Sequence, residues 1–313
     1  MLAALLVWAL KNAPLSEIAA TLRRLTWPQA AALLALNLLI FLLLTARWWL
    51  IVRAQTRLPF WPFLAYRLTA FGISYFTPGP QFGGEPYQIL VLQKNHGLSA
   101  ARAAAAVVLD KLLEFLANFI FLAIGLFALA RSGLWAQISA PAWVIFPLMA
   151  LLLWPPLHIF LLYRQIHPVS AALNRLRRSA IFSGRAALQR AIRLVTASEH
   201  LAATFCHRHP QFLLAALGVS LLSWLGMLAE YALMTRFLRL PLLPLEIVSA
   251  LTLARLAFLA PLPAGIGALE ASQALALTAL GWPAASGISL SLLMRARDLL
   301  LGGAGLLLGA IKK

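Results

Sequence analysis

An all-α polytopic membrane protein is the fold class this sequence predicts, and three observations predict it. Apolar residues make up 62% of the 313 residues and charged residues only 11%, where a soluble domain carries about 25% charged. Mean hydropathy is +0.85, and the apolar runs are long enough for membrane spans. Two of those runs are broken by a Pro/Gly stretch that ends in a glutamate: Thr77-Pro-Gly-Pro-Gln-Phe-Gly-Gly-Glu85 and Pro261-Leu-Pro-Ala-Gly-Ile-Gly-Ala-Leu-Glu270.

The breaks organise the rest. In each, a proline precedes a glutamate by seven positions, Pro78 to Glu85 and Pro263 to Glu270. Proline removes a backbone donor and glycine admits unusual dihedrals, so neither stretch continues a helix. Pro78, Gly79, Gly83 and Gly84 mark the first break, and Pro261, Pro263, Gly265 and Gly267 the second. At membrane depth, irregular backbone survives only where protein or a watery cavity satisfies it. The expectation is a helical bundle with two re-entrant hairpins in an inverted repeat, each carrying an acid.

Net charge is +17, from 26 Lys+Arg against 9 Asp+Glu. In a soluble protein that imbalance suggests nucleic acid. With apolar spans present, the positive-inside rule explains it, so no nucleic-acid partner is expected and anionic lipid headgroups are. The single Cys206 excludes an internal disulfide framework, and Cys206-His207-Arg208-His209 lacks a second ligand cluster, so it reads as a membrane-edge loop. No metal and no cofactor is expected. No cleavable signal is apparent, and Met1–Leu10 is too short to span alone.

In chain order, Pro28–Leu50 is a clear span of 23 residues, about 35 Å as helix. Arg47, Trp48, Trp49, Arg53 and Arg57 read as its aromatic and basic rim. Phe60–Phe76 is short, holds Arg67 and runs into the first break, after which Glu85–Asn95 is a short amphipathic piece. Ser99–Ala130 is a long helix without proline, with Asp110, Glu114 and Asn118 on one face and Lys111 beside them. Ala142–Tyr163 is a span kinked or interrupted at Pro155-Pro156. Arg164–His209 spaces seven arginines, through Arg193, among Val, Leu and Ile without a 20-residue apolar run, the pattern of an amphipathic connection on the cytoplasmic membrane surface. Phe212–Thr235 is a span holding Glu230, for which an arginine partner is expected. Leu242–Ala260 carries Arg255 into the second break, Glu270–Leu280 follows, and Ser286–Ile311 holds Arg295, Arg297 and Asp298.

The halves match beyond the breaks. Gly97 lies twelve residues after Glu85 and Gly281 eleven after Glu270, and each then begins a charged helix. The chain reads as one integral membrane domain, 1–313, with a first repeat over about 28–163, the connector over about 164–209 and a second repeat over about 211–313. With the connector inside, the hairpins enter from opposite faces, the arrangement of inverted-repeat transporters. Both termini are then cytoplasmic, in a bacterial inner membrane.

The Pro-Gly-rich stretch at Pro78–Glu85, the Gly-x-Ser plus Asp-Lys-x-x-Glu helix at Gly97–Glu114 and the Pro-x-x-Gly-x-Gly-x-x-Glu stretch at Pro261–Glu270 together resemble the lysylphosphatidylglycerol synthase transmembrane domain family, also called the flippase-like domain family. The closing Arg-x-x-Asp helix at Arg295–Asp298 fits more loosely. The resemblance implies a domain that moves lipids between leaflets. Members fused to a cytosolic synthase flip aminoacylated phosphatidylglycerol; this chain is expected to be a stand-alone member, and synthesis of that lipid is not implied. The expected function is translocation of a polar-headed phospholipid or isoprenoid-linked lipid. The alternative is an integral-membrane transferase, or an accessory subunit of lipid or glycolipid biosynthesis, using Glu85 or Asp110 as general base. A lipid-biosynthesis enzyme and a second copy of the chain are further candidate partners.

Glu85, Asp110, Lys111, Glu114, Arg255, Glu270, Arg295, Arg297 and Asp298 are the candidate substrate-path residues, and Arg67 the candidate for a headgroup phosphate. Each has a structural reading beside it. Glu85 and Glu270 either meet a cationic headgroup or a proton, or cap a half-helix. The charges near Asp110 and Asp298 either line a path or form ion pairs that lock the repeats together, with Lys111–Glu114 and Arg295–Asp298 as i,i+3 pairs. Arg67 and Arg255 either hold a phosphate or, for Arg67, snorkel to the interface.

Overall fold

The computed structural model describes residues 16, 19–20, 23, 25–77, 83–132, 145–177, 186–259 and 265–311. Among them are eleven helices and no strand. The first is α1 (Trp27–Arg53), which starts where Pro28 occupies the first turn and the Gln29 side chain accepts the Thr26 N–H at 3.0 Å. Next come α2 (Trp61–Phe76) and α3 (Glu85–His96), on either side of the first break, and α4 (Ala100–Arg131), started by the Ser99 hydroxyl over the Arg102 N–H. After them lie α5 (Ile145–Tyr163), α6 (Pro168–Arg177) and α7 (Ala186–Arg208). The second half holds α8 (Pro210–Phe237), α9 (Pro244–Phe258), α10 (Ala268–Ala279) and α11 (Ala284–Ile311), with the second break between α9 and α10. Helices α1, α4 and α8 are each long and apolar enough to cross a membrane. Pro78, Gly79, Pro261, Pro263 and Met1–Leu10 lie outside the described residues.

The most extensive packing is α1 on α8 and α2 on α11, with α4 against α9, α3 against α4 and α10 against α11. Small residues set the closest approaches. The Thr69 hydroxyl on α2 donates to the Gly305 carbonyl on α11 at 2.8 Å, and a Cβ at Gly305 would lie 2.0 Å from the Leu68 carbonyl oxygen. The α4–α9 contact repeats the device: a Cβ at Gly125 would lie 1.9 Å from the Thr252 hydroxyl. Bare helix faces of this kind are how membrane helices gain dispersion contact without a hydrophobic drive. The two larger apolar clusters among the described residues lie around Trp48, Phe63, Leu109 and Phe205, and around Tyr231, Leu251, Leu277 and Leu290.

Of the two forms expected at Pro155-Pro156, a kink or an interruption, interruption is not seen: α5 is continuous through both prolines. Three expectations are corrected. Arg47 and Trp48 are not rim residues: α1 continues to Arg53, and both are buried, at 1% and 0% exposure. Arg53 takes the rim role instead, its guanidinium 4.6 Å from the Trp49 ring. The connector is a surface element only in part. Arg164, Arg175, Arg190 and Arg193 are exposed, whereas Ala202, Ala203, Phe205 and Cys206 on the last turns of α7 are in the first core, packed on α4 and α5. Cys206-His207-Arg208 is therefore the end of a helix, not a loop.

Glu199 on α7 joins the two connector helices by accepting the Val169 N–H at 2.9 Å and the Ser170 N–H at the start of α6. Beside it the His167 and His200 rings lie 3.8 Å apart. Burial, and then the neighbouring His200, hold His167 below its ordinary pKa, against a smaller opposing pull from Glu199. The unfolded chain therefore takes up this proton first, so His167 costs stability as pH falls below about 6.5. Melting profiles from pH 7.5 to 5.5 are expected to flatten in His167→Gln. An unchanged slope would mean that other groups govern acid sensitivity.

Candidate functional site

A cavity of about 220 Å³ lies between α1, α2, α4, α8, α9 and α11, with the first residues of α3 on its wall. Phe41, Phe71, Phe115 and Trp224 supply apolar wall, but nine charged side chains face the same space. Charge inside an apolar bundle is expensive unless it is paired or faces a cavity. Both solutions are used.

The first ion cluster ties four helices, α1, α2, α3 and α4. Asp110 on α4, 1% exposed, accepts Arg47 Nε of α1 and Arg67 Nη1 of α2, each at 2.6 Å. One turn on, Glu114 accepts the Nη2 groups of the same two arginines at 2.9 and 3.1 Å. Lys111 joins Glu114 and Glu85, 3.0 Å from each. Two carboxylates this close in a poorly hydrated site would repel; the two planar guanidinium forks make the cluster viable.

The second cluster is thinner. Arg295 on α11 makes a two-pronged bond to Glu270 on α10 and also donates to the Gly265 carbonyl at 3.1 Å. Arg297 Nη1 serves Glu230 on α8, and its Nε and Nη2 serve Asp298 Oδ1 at 2.9 and 2.8 Å. The expected Arg295–Asp298 pair is thus not among the ion pairs of the described residues: Arg295 bonds Glu270, and Asp298 bonds Arg297. Glu230 does gain the arginine partner expected of it.

The two break glutamates behave alike. Glu85 Oε2 accepts the Gly83 N–H at 2.8 Å while Oε1 meets Lys111, and Glu270 Oε2 accepts the Gly267 N–H at 2.9 Å while Oε1 meets Arg295. Gly83 and Gly267 have φ of +138° and +82°, which L side chains adopt with strain. Each acid therefore closes its own break and pins it to the long helix that follows. The ion pairs among the described residues each stay within one half; they do not lock the halves to each other. A neutral donor makes a link instead, Asn37 Nδ2 of α1 to Glu230 Oε1 of α8 at 2.7 Å.

Of the residues singled out in the sequence, Glu85, Lys111, Glu114, Arg67, Arg255, Arg297, Asp298 and Gly84 line the cavity. Asp110 sits behind it, gripped by Arg47 and Arg67. Glu270 and Arg295 stand off the cavity, with the Tyr75 hydroxyl, a hydrogen-bonding neighbour of Arg295, on the wall between. Arg67 is engaged by both Asp110 and Glu114. Arg255 has no carboxylate partner among the described residues: its Nη2 meets only the Met227 sulfur at 3.1 Å, its Nε is buried without a partner, and its guanidinium lies 4.8 Å from the Trp224 ring. Sequence reasoning missed Asn37, Arg47 and Trp224. A signal existed for two of them, since Asn37, Phe41, Leu44 and Arg47 recur at helical spacing on one face of α1.

Among the described residues no group of three His, Cys, Asp or Glu side chains is placed to hold a metal. No curated protein and no solved structure matches this chain. The family model for the lysylphosphatidylglycerol synthase TM region matches residues 1–305. With apolar spans enclosing a charged cavity and a match over nearly its whole length, this chain belongs to the lysylphosphatidylglycerol synthase transmembrane region family.

Proposed function

We propose that the protein translocates a polar-headed lipid between leaflets of the bacterial inner membrane, the headgroup crossing through the charged cavity while the tails stay in the bilayer. The observation that carries this reading is ionised side chains lining a 220 Å³ space inside a bundle whose outer faces expose Leu38, Leu39, Phe127 and Leu225. A headgroup in such a cavity exchanges water for carboxylates and guanidinia, which lowers the cost of crossing hydrocarbon.

An inverted repeat with two re-entrant hairpins fits this role. Three parallels support it: the matched glutamate closures at Gly83 and Gly267, the matched glycine–threonine contacts at Gly125–Thr252 and Gly309–Thr69, and the equivalence of α2 on α11 to α9 on α4. The positive-inside rule puts the exposed arginines of the connector, with both termini, on the cytoplasmic side, against anionic headgroups. The transferase alternative is disfavoured by the state of its bases, since Asp110 is held by two arginines and Glu85 by Lys111 and a backbone N–H.

Purified protein in liposomes is expected to exchange a head-labelled phospholipid between leaflets without altering it. Glu230→Gln, which removes a charge from the cavity wall, is expected to slow exchange by about tenfold or more. A new lipid species on thin-layer chromatography, with no leaflet exchange, would establish the enzyme reading instead.

A further inference from the structure

The charges of the cavity are not evenly satisfied. In the first cluster Arg47, Arg67 and Lys111 face Glu85, Asp110 and Glu114, and every member has a bonded partner of opposite sign. In the second, Arg297 alone serves both Glu230 and Asp298, while Arg255 serves neither. The two acids are also half used. Glu230 receives both Asn37 and Arg297 on Oε1, and Asp298 receives both Arg297 groups on Oδ1. No bond among the described residues reaches Glu230 Oε2 or Asp298 Oδ2, and neither is a buried atom lacking a partner. Glu230, Arg255, Arg297 and Asp298 all line the one cavity, and Glu230, Arg255 and Arg297 further surround a small void of about 10 Å³ beside it.

A desolvated guanidinium without a carboxylate is costly, whereas the open oxygens of the two acids are accessible and free to accept a donor. Unused bonding capacity of both signs thus faces one space. A lone anion would satisfy Arg255 and leave the acids as they are; a lone cation would do the reverse. We infer that this end of the cavity is a site for a zwitterionic phosphate headgroup, its phosphate on Arg255 and its ammonium on the free oxygens of Glu230 and Asp298. The guanidinium presents several N–H donors, the donor set that phosphate prefers, and the Trp224 face beneath it holds it in place. A protonated amine donates to both carboxylate oxygens. The net charge of the cavity is unchanged by such a guest. The inference rests on the lipid-translocation reading and names the headgroup class that reading leaves open.

The test is equilibrium binding to the full chain in detergent micelles, with affinity read from thermal-shift titrations. The probes are short-chain phosphatidylethanolamine, phosphatidylglycerol, phosphatidylcholine and inorganic phosphate. Phosphatidylethanolamine is expected to bind at least tenfold tighter than the other three, since phosphatidylglycerol lacks the amine, choline cannot donate, and free phosphate lacks both amine and tails. Arg255→Met is expected to weaken its binding about tenfold or more while leaving the lipid-free melting temperature unchanged or higher, because the buried charge it removes has no carboxylate partner. Arg255→Lys recovers part of the affinity. Equal affinity for phosphatidylglycerol or free phosphate in the wild type overturns the zwitterion assignment without need of any variant. So does phosphatidylethanolamine affinity that Arg255→Met does not change. Leaflet exchange with no such selectivity sinks this inference alone; selective binding with no exchange sinks the transport reading and leaves the site.

Discussion

Asp110→Ala is expected to cost roughly 3–5 kcal/mol of stability, the largest effect of any single charge removal in the bundle. The carboxylate is nearly inaccessible and holds two guanidinia, one from α1 and one from α2. Without it, Arg47 and Arg67 share Glu114 alone. The loss therefore exceeds the deleted hydrogen bonds, because an uncompensated cation is left in a poorly hydrated site. Asp110→Leu combined with Arg67→Met is expected to recover most of the stability, leaving Arg47 with Glu114 as a matched pair. Unfolding in detergent by denaturant titration reads both. If the single and double variants are equally impaired, Asp110 matters for packing and not for charge.

Gly305→Leu is expected to separate α2 from α11 and prevent accumulation of folded protein. The added Cβ would stand 2.0 Å from a main-chain oxygen, which cannot rotate away as a side chain can. Overpacking against side chains costs about 1–3 kcal/mol, and a backbone obstacle raises it. Gly303→Leu, two residues earlier on the same helix, is the internal control. A Cβ there meets nothing within 4 Å, so no more than the usual small propensity change is expected. Size-exclusion profiles of the two variants decide the matter; identical profiles would mean that the crossing is loose.

Much of this was legible in the sequence because membrane chemistry makes polar residues conspicuous. Asp110, Glu114 and Lys111 stood out within an apolar helix, and all three were found in one network. The break glutamates stood out because glycine and proline mark irregular backbone. What sequence could not provide was the partner of each charge. Arg47 directly precedes Trp48 and Trp49 at the end of its expected span and so reads as rim; only the position of α4 across from it makes it a ligand of Asp110. Asp298 sat three residues from Arg295, yet Arg295 turned to Glu270 through contacts that α10 supplies. The role of Arg255 was hidden for the opposite reason, since an absence of partners cannot be read from spacing. Trp224 is one of ten tryptophans, and nothing in its sequence neighbourhood sets it apart.

The burial of Cys206 has a practical consequence. It is the single cysteine of the chain, it is fully buried on α7, and burial pushes its thiol up to about 12. Maleimide chemistry needs an accessible thiolate, so the native protein is silent to such reagents. Any cysteine placed at exposed Arg175 or Arg190, or on the cavity wall at Asn118, becomes the sole labelled position without a thiol-free parent. Impermeant and permeant reagents applied to intact cells then read which compartment each position faces.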